Sequence, residues 1–429
     1  MANSTLSNGP PKGIGKMARR EMRLAYGMLA PTFLIVLAIV LGPLLANFWI
    51  SLKPVKLGDL RPATLSTNER LRGDIEAVGD IATLEYRIRN SSREAAIAGA
   101  GFDDVLPSGL SIVGLDERCE ASGQTLSCNI GDIDGGFRDR VSLEVEANAD
   151  YLANPVNPRD SKPTSFGATN NILTNFEFTF ENFEKIFSSS EFWSVLRVSM
   201  YYTIFGTIGA LVLGLFAAQL LNTAFAGRNL LRGLFLFPYV APVIAVAFTW
   251  VVLLDPFSGT LNSILQQMGV VDEPVNFFGQ RSVTMNFFGL SFEFPVALTT
   301  VIAFEAWRYF PLSFLFILAR MQSISGEMYE AAEIDGATPL QQFWYISLPQ
   351  LVGILAVLFL LRFIWTFNKF DDIFLLTGGA AGTRTLTVDV YEQAFAVSNL
   401  GAGAAVAVVV FIVLLTFSIL FFAFSPKDE

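Results

Sequence analysis

Residues 326–351 read GEMYEAAEIDGATPLQQFWYISLPQL and lie between two long apolar runs. The spacing predicts two short helices, Gly326–Asp335 and Pro339–Ser347, joined by a turn at Gly336. Glycine tolerates the positive φ that ends a helix, and Pro339 suits the first turn of the next. Pro349 is expected to stop the second helix before the following apolar run. Four acids, Glu327, Glu330, Glu333 and Asp335, stand where a cytoplasmic connector would favour bases. A compact acidic hairpin between two apolar runs is more than a solvated connector, and it reads as a docking element at a bilayer surface.

The flanking composition supports that setting. The chain has 429 residues, 52% hydrophobic and only 16% charged, with 40 Phe. A soluble domain carries about 25% charged residues. The absence of histidine removes Ser-His-Asp and Cys-His catalysis and the HExxH zinc site. The net charge of −10 gives no basic stripe for nucleic acid. Six apolar runs are long enough to span: Met28–Ile50, Val195–Leu221, Leu231–Leu254, Pro295–Ile317, Leu351–Leu375 and Ala402–Phe424. The fold class expected is an α-helical membrane protein with six transmembrane helices. Lys12, Lys16, Arg19, Arg20 and Arg23 precede the first run, and Arg228 and Arg232 sit between the second and third. Both basic flanks are expected to be cytoplasmic, which places both termini inside. The first run is too long for a signal-peptide core, and no small-residue cleavage site follows it.

Residues 53–192 break the pattern. From Lys53 to Asp150 there are 11 Lys and Arg against 18 Asp and Glu. ATLEYRIRN alternates apolar and polar residues, and LSIVGL, QTLSCNI and RVSLEVEANA do so less regularly, with turn signals between them. Short alternating strands of this kind predict an extracytoplasmic β-sandwich over 60–150. Cys119 and Cys128 flank a Gly turn and are expected to form a disulfide outside the cytoplasm, with two buried thiols as the alternative. Asn90-Ser91-Ser92 has the form of a glycosylation sequon but reads as a turn. Residues 151–192 read as a linker and interfacial segment. The remaining divisions are a cytoplasmic segment 1–27, a first helix 28–52, and a membrane core 193–425 containing the loop 326–350.

Two resemblances follow from motifs. Glu330-Ala331-Ala332, Gly336, Ile346 and Leu348-Pro349 resemble the EAA loop of ABC-importer permeases. FIWTFNKFDDIFLLTGG (363–379), TRTLTVDVYEQAF (383–395) and the run 237–269 resemble maltose-type carbohydrate permeases, whose fold is the type I ABC importer permease. The resemblance covers about residues 25–52 and 175–424. It implies that Glu330, Ala331, Ala332, Gly336, Ile346 and Pro349 couple to a cytoplasmic ATPase. It also implies an ABC ATPase dimer, a second related permease and an extracytoplasmic sugar-binding protein as partners, in a bacterial inner membrane. ATP and Mg would be held by the ATPase, because this chain lacks GxxxxGK[ST]: GIGKM has Pro10 where the first Gly is needed. No cofactor or metal is expected on this chain. The segment 65–150 resembles Ig-like repeats of bacterial surface proteins.

Ionisable residues inside a membrane usually face a cavity or each other. Glu305 and Arg308 are i, i+3 neighbours and could pair. Arg362, Trp365, Thr366 and Lys369 share one helical face, an aromatic platform beside hydrogen-bonding groups. By resemblance, a sugar pathway would involve Glu305, Trp307, Arg308, Tyr309, Leu312, Arg362, Trp365, Thr366 and Asn368. The other reading makes Glu305–Arg308 an internal ion pair and Trp365 a packing residue. Pro238 and Pro242 should interrupt the third run, as a gating bend or a fixed kink. Two other classes remain open: an ion-coupled transporter using Glu305 and Asp372, and a membrane-anchored receptor or adhesion protein.

Overall fold

The computed structural model describes residues 16–93, 95–156, 162–169, 172–287 and 290–424. Lys12, Pro10 and residues 157–161 and 170–171 of the expected linker lie outside the described residues. Helix α1 (Lys16–Val36) passes through a π turn at Leu37–Leu41 into α2 (Gly42–Ser51). Seven strands follow: β1 (Leu65–Arg72), β2 (Ile81–Asn90), β3 (Ile97–Val105), β4 (Leu110–Gly114), β5 (Cys119–Ser122), β6 (Thr125–Ile133) and β7 (Arg138–Ala147). A short α3 (Ala149–Ala153) and strand β8 (Thr164–Thr169) complete the insertion.

These strands form two antiparallel four-stranded sheets, ordered β1-β2-β7-β4 and β5-β6-β3-β8. Alternation explains the inner faces. Leu84, Tyr86, Ile88, Val141 and Leu143 from one sheet share a buried cluster with Phe102, Leu126 and Cys128 from the other. Cys119 lies opposite Cys128 in the β5–β6 register, and the two are joined by a disulfide. Asn90 is buried, and its side-chain amide donates to the Ala95 and Asp134 carbonyls, so it acts as a turn residue. The linker expected from Tyr151 onward instead supplies β8, which pairs with β3. With Phe166 as its one large apolar residue, that edge strand carries no alternating pattern.

The insertion is anchored where it leaves and rejoins the helices. Trp49 Nε1 donates to the Leu173 carbonyl at 2.6 Å, and Thr179 N–H to that of Leu52 at 2.8 Å. Lys53 is fully buried there, with Nζ 2.6 Å from Asn175 Oδ1 and over the rings of Trp49 and Phe178. Burial pulls this ammonium below its usual pKa, and the Glu177 carboxylate partly opposes that shift.

Beyond the insertion come α4 (Glu181–Ser188), α5 (Ser190–Asn222), α6 (Arg228–Phe235), α7 (Phe237–Val240), α8 (Val243–Leu253) and α9 (Thr260–Gln267). A hairpin of β9 (Val283–Phe287) and β10 (Leu290–Phe294) leads into α10 (Val296–Gln322). Then follow α11 (Gly326–Ile334), α12 (Pro339–Gln342), α13 (Leu348–Phe367), α14 (Asp371–Leu376), α15 (Leu386–Tyr391) and α16 (Leu400–Phe424).

Among the described residues, five helices are long and apolar enough to cross a bilayer: Arg19–Ser51, Ser190–Asn222, Val296–Gln322, Pro339–Phe367 and Leu400–Phe424. The third expected run is not one straight helix. Arg228–Val240 and Val243–Leu253 meet at 92°. Pro242 has no N–H to continue the ladder, and Ala241 before it is extended at ψ 144°. The fifth expected run is shorter than its composition suggested. It ends at Phe367, and α14 is a separate helix after Asn368-Lys369-Phe370. Pro349 does not stop its helix either. A π turn at Phe343–Ser347 carries α12 into α13, with Leu348 N–H reaching the Phe343 carbonyl. Widening the turn just before the proline keeps the helix continuous.

The membrane core centres on α5 packed along α10. Small residues permit the close approach, as is usual where lipid supplies no hydrophobic drive. A Cβ at Gly209 would lie 2.8 Å from Ala306 Cβ, and one at Gly214 2.6 Å from Ser313 Cβ and 2.8 Å from Phe314 N. Gly214→Val should therefore destabilise the core by about 1–3 kcal/mol through overpacking. The expected outcome is a lower unfolding midpoint in detergent, whereas an unchanged midpoint would mean that the two helices separate at no cost.

Candidate functional site

Two sites emerge, one inside the helical core and one at its exposed hairpin. Glu305 on α10 is fully buried. It does not pair with Arg308. Its Oε1 instead meets Arg362 Nη2 of α13 and accepts from Thr366 Oγ1 at 2.8 Å. Tyr202 of α5 donates to Oε2 at 3.0 Å. A Cβ on Gly206 would fall 2.8 Å from Glu305 Cγ, so the glycine makes room for the carboxylate. Three helices thus meet on one buried carboxylate. Sequence spacing favoured Arg308 because it compares only neighbours on one helix. The nearer cation comes from another helix.

Arg308 serves a different contact. Its Nη1 and Nη2 donate to the Pro238 and Ala241 carbonyls at 3.3 and 3.2 Å. These carbonyls lie in the proline-rich bend, where the helical ladder is interrupted. The arginine therefore caps the break and ties it to α10. Its Nε is also 3.9 Å from Asp372 Oδ1. Asp372 is buried, and neither carboxylate oxygen accepts a hydrogen bond among the described residues. Lys369 Nζ lies 3.9 Å from its Oδ2.

Tyr309 sits among these cations. The Arg362 guanidinium lies 4.5 Å and Lys369 Nζ 4.3 Å from its ring centroid, and Lys369 also donates to its hydroxyl. On one side this group opens into a cleft of about 430 Å³, lined by Tyr239, Tyr309, Arg362, Trp365, Asn368, Lys369 and Asp371. Trp365 is 46% exposed there, presenting a ring beside cationic and amide groups. Thr366 turns away to Glu305. Trp307 packs on Trp250 and Phe304 and does not line the cleft. Half-buried Leu312 is likewise not among the lining residues. Tyr202 and Tyr239 escaped the sequence reading, since a tyrosine in an apolar run carries no positional signal.

The second site is the hairpin of α11 and α12. Gly336 adopts φ +79°, and Ala337 N–H returns to the Ala332 carbonyl at 2.9 Å. Thr338 caps α12 in a reciprocal bond with Gln341. Tyr329 OH and Ser347 Oγ, 2.8 Å apart, tie α11 to the π turn. Glu330 and Ala331 are exposed on α11, Ala332 and Ile346 are half-buried, and Pro349 is exposed at the start of α13. Ile334 and Leu340 are 87% and 67% exposed. The hairpin is fixed from within yet presents a carboxylate and apolar side chains outward.

Comparison with known proteins agrees with this architecture. The profile of the binding-protein-dependent transport system inner membrane component matches residues 210–427. The inner membrane ABC transporter permease protein YcjO of Escherichia coli (strain K12) is 36% identical over 56% of this chain and 78% of its own. The trehalose/maltose transport system permease protein MalF of Thermococcus litoralis is 33% identical over 56% of this chain and 77% of its own. In the crystal structure of a bacterial ABC transporter involved in alginate import, one chain matches with a TM-score of 0.50 and 21% identity. The match covers 59% of this chain and 86% of that one, which supports the fold. With the matched region containing α10, the exposed hairpin and α13, the chain belongs to the family of binding-protein-dependent transport system inner membrane components.

Proposed function

We propose that this chain is one membrane-spanning half of an ATP-driven importer for a di- or oligosaccharide in a bacterial inner membrane. The observation that carries the coupling role is the rigid hairpin with Glu330 and apolar side chains facing outward. Its acidic, small and apolar surface suits a groove on a cytoplasmic ATPase dimer, which would bind and hydrolyse ATP with Mg. A second related permease would complete the pathway, and an extracytoplasmic sugar-binding protein would deliver the substrate. The carbohydrate assignment draws on the trehalose/maltose relative and on the cleft, where Trp365 stands beside Arg362, Asn368 and Lys369. An aromatic face stacks on the C–H face of a pyranose, while polar neighbours bind its hydroxyls.

The bent pair Arg228–Val240 and Val243–Leu253 is read as the sixth span, with both termini cytoplasmic. The two-sheet insertion is then an extracytoplasmic Ig-like β-sandwich on the side where a binding protein docks. Glu305, which an ion-coupled carrier would have to titrate, is held by Arg362, Thr366 and Tyr202. That arrangement supports a structural role for Glu305, and we read the cleft residues as the substrate's.

Replacing Glu330 with Lys, or Gly336 with Pro, should uncouple transport. Loss of a charge-assisted bond at an interface corresponds to about a 10- to 100-fold change. Substrate-stimulated ATP hydrolysis by the reconstituted complex should fall by that order, and normal stimulation in both variants would sink the coupling role. The two membrane positions should separate differently. Trp365→Ala should reduce uptake about tenfold with assembly intact. Glu305→Gln should lower thermal stability by about 3–5 kcal/mol, because it leaves Arg362 buried without a counter-charge. Unchanged uptake by Trp365→Ala in a stable complex would remove it from the pathway.

A further inference from the structure

The outer face of sheet β1-β2-β7 carries an arrangement that the transport reading does not use. Inward residues Leu84, Tyr86 and Ile88 on β2, and Val141 and Leu143 on β7, fill the domain core. The alternate residues therefore face out. Across the strands Arg89 stands opposite Arg138, and Arg87 opposite Arg140. On β1, Arg70 stands opposite Glu85, and Arg72 is the next outward residue. Like charges directly opposite each other destabilise a sheet. Two such pairs in adjacent rows, on a domain where acids outnumber bases, call for an external counter-charge.

Internal neutralisation is incomplete. Among the described residues Glu85 alone serves Arg87 at 2.7 Å, Arg72 at 2.8 Å and Arg140 at 3.9 Å. Asp139 is taken by Arg118 at 2.6 Å. Arg89 and Arg138 have no acidic partner among the described residues and are exposed. A cleft of about 730 Å³ runs over this block, lined by Asn68, Arg87, Arg89, Arg138 and Arg140 with Ile88 and Asp139.

Position selects the ligand. The Arg89–Arg138 row is at the end of the sheet next to the membrane helices. Asn90 N–H bonds to the Phe137 carbonyl, and the adjoining residues Ala95 and Ala96 share a cavity with Pro54, Asn175 and Phe178 at the base of the insertion. Pro54 follows α2 by three residues, and Val55 O accepts from Gly401 N–H in the first turn of α16. Further up the same sheet face the outward residues of β7 become acidic, Glu144 and Glu146. The all-arginine rows are thus on the side of the membrane helices, while the rows beyond them mix Arg70 and Arg72 with Glu85, Glu144 and Glu146. We propose that the Arg87–Arg89–Arg138–Arg140 block binds the phosphate headgroups of acidic phospholipids, orienting the inserted domain on the membrane surface. Guanidinium forks donate two parallel bonds to a phosphate, and a four-arginine grid can engage more than one headgroup.

The test uses the full chain in nanodiscs, carrying S66C with an environment-sensitive fluorophore. Ser66 lies opposite Arg89, and the native cysteines are joined to each other. Discs contain phosphatidylcholine alone or with phosphatidylglycerol, each doped with a headgroup quencher. Phosphatidylglycerol should raise quenching about threefold or more, and high salt should reverse it. R89Q/R138Q should remove the increase, while R89K/R138K should retain most of it. Protease resistance of the domain and the intact disulfide show that each variant has folded. If R89Q/R138Q fails to fold, the lipid and salt dependence of S66C alone decides. Equal quenching in both discs overturns the proposal. So does binding of soluble polyphosphate or an acidic protein at this face with no dependence on the lipid.

Discussion

The buried contact between Glu305 and Arg362 organises the membrane core. An isolated charge in an apolar interior is expensive, so each group depends on the other being in place. Thr366 and Tyr202 bond to the same carboxylate, which brings α5, α10 and α13 to one point. Gly206 permits that convergence, since any side chain there would displace the carboxylate. The small-residue seam at Gly209 and Gly214 extends the same contact along α5 and α10. A polar anchor and a steric seam together fix the helices where lipid gives no net drive for association.

Around this anchor the functional elements follow as consequences. Arg308 is free of Glu305 and can cap the carbonyls exposed at the proline bend. Arg362 and Lys369 flank Tyr309 and form one wall of the open cleft. The helix that carries Arg362 runs without a break back to the exposed hairpin, through the π turn that accommodates Pro349. A displacement of the hairpin would therefore act on α13 as a rigid lever. In the proposed transport cycle this continuity links ATPase closure to the wall of the cleft.

Local contacts at its base attach the inserted domain to the helices. Lys53, Trp49 and Asn182 hold its two ends together at the top of α2. Gly401 approaches the Lys53 carbonyl so closely that a side chain there could not fit. The base of the insertion is thus part of the membrane core, while its sheets have a core of their own.

Much of this was legible in the residues. Apolar run length located the helices, because lipid imposes a minimum length and an unbroken backbone ladder. Period-two alternation located four strands, and the turn residues placed Cys119 opposite Cys128. The Gly336–Pro339 punctuation gave the hairpin almost to the residue. Local chemistry determines all of these features. Partner choice across helices was not legible, because it depends on which side chains the packing brings together. Sequence spacing offered Arg308 to Glu305, and only the approach of α13 supplied Arg362. Pro242 announced a break in the third run, but its 92° angle, the π turn before Pro349 and strand β8 were not legible. Each is a local departure from regularity that the surrounding packing makes affordable. The sequence by itself determined most of the long apolar helices, four of the strands and the exposed hairpin. Tertiary structure alone decided how the buried charges are shared among them, because that depends on distances in space rather than along the chain.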